Sequence, residues 1–215
     1  TGFGRRGAMK YFILATLWIG FCVLHSALIS TTFTRFIQRK TGSFYRYHRF
    51  LFNIFSVVML IPVAAYSLSI REDPFFRWDG FLLPLKYLLL LTGIFLFIAG
   101  ARHYSFSHFI GWAQIKEGSK NMLMNKTGRL SDHGILGIVR HPFYAGIFPL
   151  LWSDDLDTGT LITNIILSIY VFIGTLLEER KLIREFGDAY RAYQQKVSML
   201  FPLKWLRQKI GFTAS

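Results

Sequence analysis

Ile135-Leu136-Gly137-Ile138-Val139-Arg140-His141-Pro142-Phe143-Tyr144-Ala145-Gly146-Ile147-Phe148-Pro149-Leu150-Leu151-Trp152 is the stretch whose reading decides the fold. Its length is close to the roughly 20 apolar residues that a helix needs to cross a ~30 Å hydrocarbon core. Yet a cation, an imidazole and a helix breaker, Arg140-His141-Pro142, interrupt it. Proline has no amide hydrogen and its ring collides with the preceding turn, so a helix breaks or begins late at this point. The backbone groups freed at membrane depth then need partners from protein or water. A second polar cluster, Glu178-Glu179-Arg180, closes the next apolar stretch. Ionisable residues in such positions are costly and tend to line an internal cavity, so two clusters flanking one hairpin point to a shared site.

Working outward, four uninterrupted apolar stretches have spanning length: Tyr11 to Ile29, Phe50 to Ile70, Phe81 to Ala101 and Leu161 to Leu177. A chain that is 52% hydrophobic and only 17% charged, with mean hydropathy +0.35, is too apolar for an ordinary soluble domain. The expected fold is all-α: a polytopic membrane protein of five transmembrane helices, the fourth broken near Pro142, with an amphipathic cytoplasmic C-terminal helix. That last helix is expected over Glu178 to Val197, where Leu182, Phe186, Tyr190 and Tyr193 recur at spacings of three and four. Gly187 is its weak point and Pro202 its end. The Gly- and Arg-rich Thr1 to Ala8 reads as an appended remnant ahead of Met9, and the first span lacks an A-x-A-like cleavage site. Residues 9–215 then form one membrane domain, since no repeat or Pro/Gly/Ser linker divides them.

The 25 Lys and Arg against 12 Asp and Glu give a net charge of +13. Their placement follows the spans. Five cations lie after the first span (Arg35, Arg39, Lys40, Arg46, Arg49), six after the third and eight in the tail, against four on the opposite side, which also carries Asp154-Asp155-Leu156-Asp157. The positive-inside rule puts the N-terminus outside and the C-terminus in the cytoplasm, with both polar clusters on the cytoplasmic side. Cations so arranged answer to anionic headgroups, and nucleic acid is not an expected partner. The lone Cys22 excludes an intramolecular disulfide and a thiolate metal cluster.

At one end of the hairpin stand Arg140, His141 and Tyr144, with Glu178 and Glu179 on the following arm. A guanidinium can bind a carboxylate bidentately, and two carboxylates can hold an ammonium, ribose hydroxyls or a sulfonium. The same residues also suit interfacial ion pairs that fix helix depth. His103, His108, His133 and His141 raise the question of a metal, but their spacing matches no familiar ligand set, and none is expected.

Leu130 to Gly146, then Glu178-Glu179-Arg180-Lys181-Leu182, Glu185-Phe186-Gly187-Asp188-Ala189-Tyr190, Tyr193 and Phe201-Pro202, closely resemble the C-terminal signature of the isoprenylcysteine carboxyl methyltransferase family. The wider group takes in phospholipid N-methyltransferases, NnrU-like proteins and methanethiol S-methyltransferases. The signature covers residues 130–202. The front half looks more like the NnrU and methanethiol branch, on His25-Ser26, Tyr45-Arg46, Asn53, Ser56 and Phe106-Ser107-His108-Phe109-Ile110-Gly111-Trp112-Ala113-Gln114. It departs from that branch at the acidic Trp152 to Asp157 turn.

The resemblance implies an integral-membrane enzyme of a bacterial inner membrane that uses S-adenosylmethionine. It implies cofactor contacts at Gln114, Gly134, Ile135, Arg140, His141, Pro142, Tyr144, Glu178 and Glu179. The implied acceptor is a small or lipophilic nucleophile, foremost a thiol, with prenylcysteine carboxyl or phospholipid nitrogen as alternatives. A thiol must become a thiolate to react, and His25, Arg46 or the neighbouring His48 are the candidates to favour it. For His25 the plainer reading is an interhelical hydrogen bond to a neighbour such as Ser26 or Asn53. A reductase using NADPH is a near neighbour in pattern, and a membrane haem- or ion-binding accessory protein is the reading from another class.

Overall fold

The computed structural model describes residues 2–103, 107, 110–117 and 133–211. Tyr104, Phe106, His108, Phe109, Leu130 and the Gly118-Ser119 and Thr127-Gly128 turns lie outside the described residues. In chain order the helices are α1 (Gly2–Ile29), α2 (Thr31–Thr41), α3 (His48–Ser69), α4 (Leu83–His103), α5 (Trp112–Glu117), α6 (Pro142–Trp152), α7 (Thr158–Phe186), α8 (Asp188–Lys196) and α9 (Leu203–Ile210). Single 3-10 turns occupy Gly42–Tyr47, Gly80–Leu82 and Gly134–Gly137. Every regular element among the described residues is helical.

The stretches Gly7–Ile29, Thr31–Ser69, Gly80–Arg102 and Thr158–Phe186 are long and apolar enough to cross a membrane. Their outward faces carry large exposed hydrophobics such as Phe12 at 73%, Phe95 at 61% and Ile173 at 50%. Water does not tolerate apolar surface on that scale, so the medium of these helices is lipid, and the chain is an integral membrane protein.

The first compact unit comprises the described residues of Thr1–Arg77, Ser105–Met124 and Asp155–Leu167. Its core is Leu14 and Trp18 of α1 with Val63 of α3, flanked by Phe21, Tyr66, Ile70 and the opening turns of α7 at Ile162, Ile166 and Leu167. Trp18 Nε1 donates to Ser67 Oγ at 3.1 Å, which satisfies the one polar atom of the indole. The helix extends ahead of the expected Tyr11 to Ile29 span, since it already runs from Gly2. Asp157 opens α7: its Oδ1 accepts the Thr160 amide at 2.6 Å and its Oδ2 the Glu72 amide at 2.9 Å. Leu156 and Phe76 exchange backbone hydrogen bonds beside it. The acidic turn that departs from the family pattern thus has a local task, capping a helix and fastening it to the end of α3.

The second unit comprises the described residues of Trp78–Tyr104, Asn125–Asp154 and Ser168–Ser215. Here α4 and α6 meet backbone to backbone. A Cβ on Gly93 would lie 2.5 Å from Leu150 and 3.0 Å from the Gly146 carbonyl, and one on Gly146 would lie 2.9 Å from Phe97. Small residues at this seam let the two helices approach, a common device where lipid supplies no hydrophobic drive to associate.

The interrupted segment resolves into three parts. Gly134–Gly137 is a 3-10 turn, Ile138 to His141 is not helical, and α6 begins with Pro142 in its first turn. At 11 residues α6 rises about 16 Å, roughly half a hydrocarbon core. The backbone freed before the proline finds partners in the tail: the Arg140 amide donates to the Ser198 carbonyl at 2.9 Å and the His141 amide to Met199 at 3.2 Å.

Two boundaries differ from expectation. The last long span does not stop at Leu177 but continues as one helix to Phe186, and the expected helix from Glu178 to Val197 is cut in two. Gly187 is the cause. It adopts φ +57°, a conformation that residues bearing a Cβ rarely enter, and the chain turns there before α8. The apolar spacing survives the break, because Tyr190, Tyr193 and Val197 pack with Leu182, Ile183 and Phe186 in one cluster.

Candidate functional site

The second unit brings together Arg140, His141, Tyr144, Glu178 and Glu179, the residues that the sequence places at one end of the hairpin. Glu179 is the centre, with its side chain 8% exposed and that of Arg140 7%. Arg140 Nε donates to Glu179 Oε1 at 2.9 Å and Arg140 Nη2 to Oε2 at 2.6 Å, a bidentate pair. His141 Nε2 lies 2.6 Å from Oε1. Tyr190 on α8 donates its hydroxyl to the same oxygen at 2.6 Å, and Gln194 Nε2 donates to Oε2. Nη1 of Arg140 reaches on to the carbonyls of Val197 and Gln194.

A buried carboxylate and a buried guanidinium each cost several kcal/mol to desolvate, so the pair persists only where hydrogen bonds use up the remaining valences. Here they do. Burial, reinforced by the hydrogen bond to Glu179, pushes the Tyr190 hydroxyl above the ordinary tyrosine range, so it stays a proton donor. The knot ties α7, the non-helical Arg140-His141 strip and α8 to one point.

Glu178, next on α7, is turned about 100° from Glu179 by the helical repeat. Its carboxylate is 27% exposed and stands 3.9 Å from His141 Nδ1. The His141 ring stacks on Tyr144, centroids 5.8 Å apart and planes 17° from parallel. One imidazole therefore faces Glu179 through one nitrogen, Glu178 through the other and an aromatic ring across its face.

Pro142 is buried at the start of α6. Gly134 takes φ +63°, and Ile135 packs with Leu136, Val139, Leu96 and Ala99. Tyr193 donates its hydroxyl to the Leu136 carbonyl, which anchors the 3-10 turn to α8.

His25, Arg46 and Gln114 belong to the first unit. The His25 ring lies between Phe21, 5.6 Å away, and Phe52, 4.9 Å away, beside a small cavity that Leu24, Phe55, Ser56 and Met59 help to line. Arg46 is exposed and rests over the Tyr47 ring at 4.9 Å. His48 stacks with Tyr45 at 5.4 Å. Gln114 is buried on α5. Among the described residues no cluster of three or more His, Cys, Asp or Glu is arranged to hold a metal ion.

Sequence reasoning missed Gln194 altogether and gave Tyr190 no polar role. The signal was present, since the two residues are four apart on α8 and so share the face turned to Glu179.

No family model matches the chain, and no solved structure does. Curated relatives are found. Methanethiol S-methyltransferase 1 of Bradyrhizobium diazoefficiens is 49% identical over 70 residues, 32% of this chain and 24% of the relative. Methanethiol S-methyltransferase of Pseudomonas deceptionensis is 44% identical over 66 residues, 30% of this chain and 25% of that protein. Protein-S-isoprenylcysteine O-methyltransferase of Schizosaccharomyces pombe is 32% identical over 103 residues, 46% of this chain and 39% of the relative. The matches to the methanethiol enzymes thus span about a quarter of those proteins' length. Over these partial stretches the chain is a relative of methanethiol S-methyltransferases and of a prenylcysteine O-methyltransferase, the group that its own motifs resemble.

Proposed function

We propose that this protein is a membrane methyltransferase that moves a methyl group from S-adenosylmethionine to a small thiol. The observation that carries the reading is the division of labour between adjacent acids. Glu179 is spent on Arg140, His141, Tyr190 and Gln194, while Glu178 is held half-open beside the His141–Tyr144 stack.

A carboxylate of that kind fits a ligand with an ammonium and ribose hydroxyls, and an aromatic pair fits a flat or cationic one. Glu178, Tyr144 and His141 would hold the donor, with Arg140 and Glu179 fixing their positions and Gly134, Ile135 and Pro142 shaping the backbone beside them. Bound there, the donor supplies a methyl carbon activated by a positively charged sulfur. The chemistry it would supply is transfer of that methyl to a thiolate sulfur, its own sulfur keeping the bonding pair. For the thiol, His25 is the candidate base to take the proton, and Arg46 the candidate to favour the anion. Such a transfer needs alignment and exclusion of water more than covalent help.

Residues 9–215 act in this reading as one domain, with α6 and the segment 134–141 before it together making a fifth crossing. The excess of cations on one side supports an N-terminus outside and a C-terminus in the cytoplasm, and the bacterial relatives support an inner membrane. Carboxyl methylation of a prenylcysteine is the second reading, favoured by the longer stretch shared with the yeast enzyme.

The test is transfer of labelled methyl from S-adenosylmethionine by protein in lipid nanodiscs, with methanethiol and a prenylcysteine supplied in turn. Labelled dimethyl sulfide from the first, lost in Glu178→Gln, is the expected result. Label in the prenylcysteine alone would favour the second reading, and label in neither would overturn both.

A further inference from the structure

From Thr1 to Arg71 the chain contains no acidic residue. Within that purely cationic part, α2 follows α1 after a single residue: Ser30 turns the chain, and its Oγ accepts the Phe33 amide at 3.2 Å. Six residues of 3-10 turn then lead directly into α3 at His48. Both ends of α2 are thereby fastened to spanning helices, so it lies at the membrane boundary and nowhere else.

Its two faces differ. Thr34 is 6% exposed, Phe33 and Ile37 are half-buried, and the Phe33 ring meets His48 at 6.2 Å. On the opposite side Arg35, Arg39, Phe36 and Lys40 fall within about 140° of arc by the helical repeat. All are exposed, Phe36 at 54%, and the following turn adds Phe44 at 71% and the exposed Arg46. A polar surface helix does not usually set a bare phenylalanine among its cations, whereas a helix lying in the headgroup layer does.

We propose that α2 and the Gly42–Tyr47 turn form a binding face for anionic phospholipid, with Phe36 and Phe44 entering the acyl boundary and Arg35, Arg39 and Lys40 engaging the phosphates. Charge complementarity with an anionic leaflet and continuity with the two spans single out this occupant, whatever the enzyme does.

Spin-labelled phosphatidylglycerol and phosphatidylcholine, each in vesicles of phosphatidylcholine holding the whole protein, give the relative association of the two lipids from the motionally restricted fraction. Phosphatidylglycerol is expected to associate about fivefold or more strongly at low salt and to approach parity near 1 M salt, where screening is nearly complete. The triple variant Arg35→Gln, Arg39→Gln, Lys40→Gln should lose most of that preference. The double variant Arg207→Gln, Lys209→Gln on α9 should keep it. Equal association of both lipids with the unaltered protein, or a preference that the triple variant retains, overturns the proposal, as does equal loss in the α9 variant.

Discussion

The two ends of α7 carry acids of opposite character. At its start Asp157 caps the helix, and nearby Glu72 takes an exposed ion pair from Lys10 and a hydrogen bond from Tyr11. Near its far end Glu179 is buried and saturated by donors from Arg140, His141, Tyr190 and Gln194. Asp157 is as buried as Glu179, but a cap is satisfied by backbone amides that the fold places beside it, whereas a buried ion pair must be assembled from side chains in full before it costs less than leaving it out. A chain carries the second kind of cluster where position matters more than stability, and here it leaves Glu178 presented next to His141.

Removing the buried acid should expose this difference most strongly. Glu179→Ala leaves the Arg140 guanidinium without its partner, and a loss of about 3–5 kcal/mol is expected, read as a large fall in thermal midpoint in detergent. Tyr190→Phe removes one hydrogen bond to a charged acceptor and should cost about 1.5–3 kcal/mol, with α8 released to proteolysis before the spans unfold. At the other end Asp157→Ala should cost about 1 kcal/mol, the usual value of a cap.

The Asp157 effect has a pH signature. Burial opposes its ionisation, yet the amides of Thr160 and Glu72 outweigh that and hold the carboxyl below the ordinary aspartate value. Its contribution is therefore complete above about pH 4, where the unfolded acid is also ionised, and is lost as pH falls further toward the depressed folded value. Thermal midpoints recorded from pH 5 to pH 3 should fall less steeply in Asp157→Ala than in the unaltered protein. Smallest of all, Lys10→Gln breaks only a solvent-exposed pair and should leave the thermal midpoint unchanged.

The same contrast explains how much the sequence could reveal. The long apolar helices follow from hydropathy alone, and the late start of α6 follows from Pro142, because both depend on short-range chemistry. The meeting of Arg140 with Glu179 was expected only as shared depth on a hairpin. Their bidentate pairing depends on α8 folding back, which rests on Gly187 turning the chain, and a glycine in a helix-forming stretch reads equally as a weak point or a break. Gln194 escaped notice because its role exists only once that turn is made. The extended strip that pairs Arg140 and His141 with Ser198 and Met199 was equally hidden, since no local propensity announces it.

The central claim is that Glu179 builds the site and Glu178 uses it. S-adenosylhomocysteine titrated into detergent-purified protein by calorimetry tests this most directly in Glu178→Gln. A binding constant weakened by about tenfold or more, with the thermal midpoint of the unliganded protein unchanged, is the result expected from losing a charge-assisted contact to the ligand alone. Undiminished binding in Glu178→Gln would contradict it.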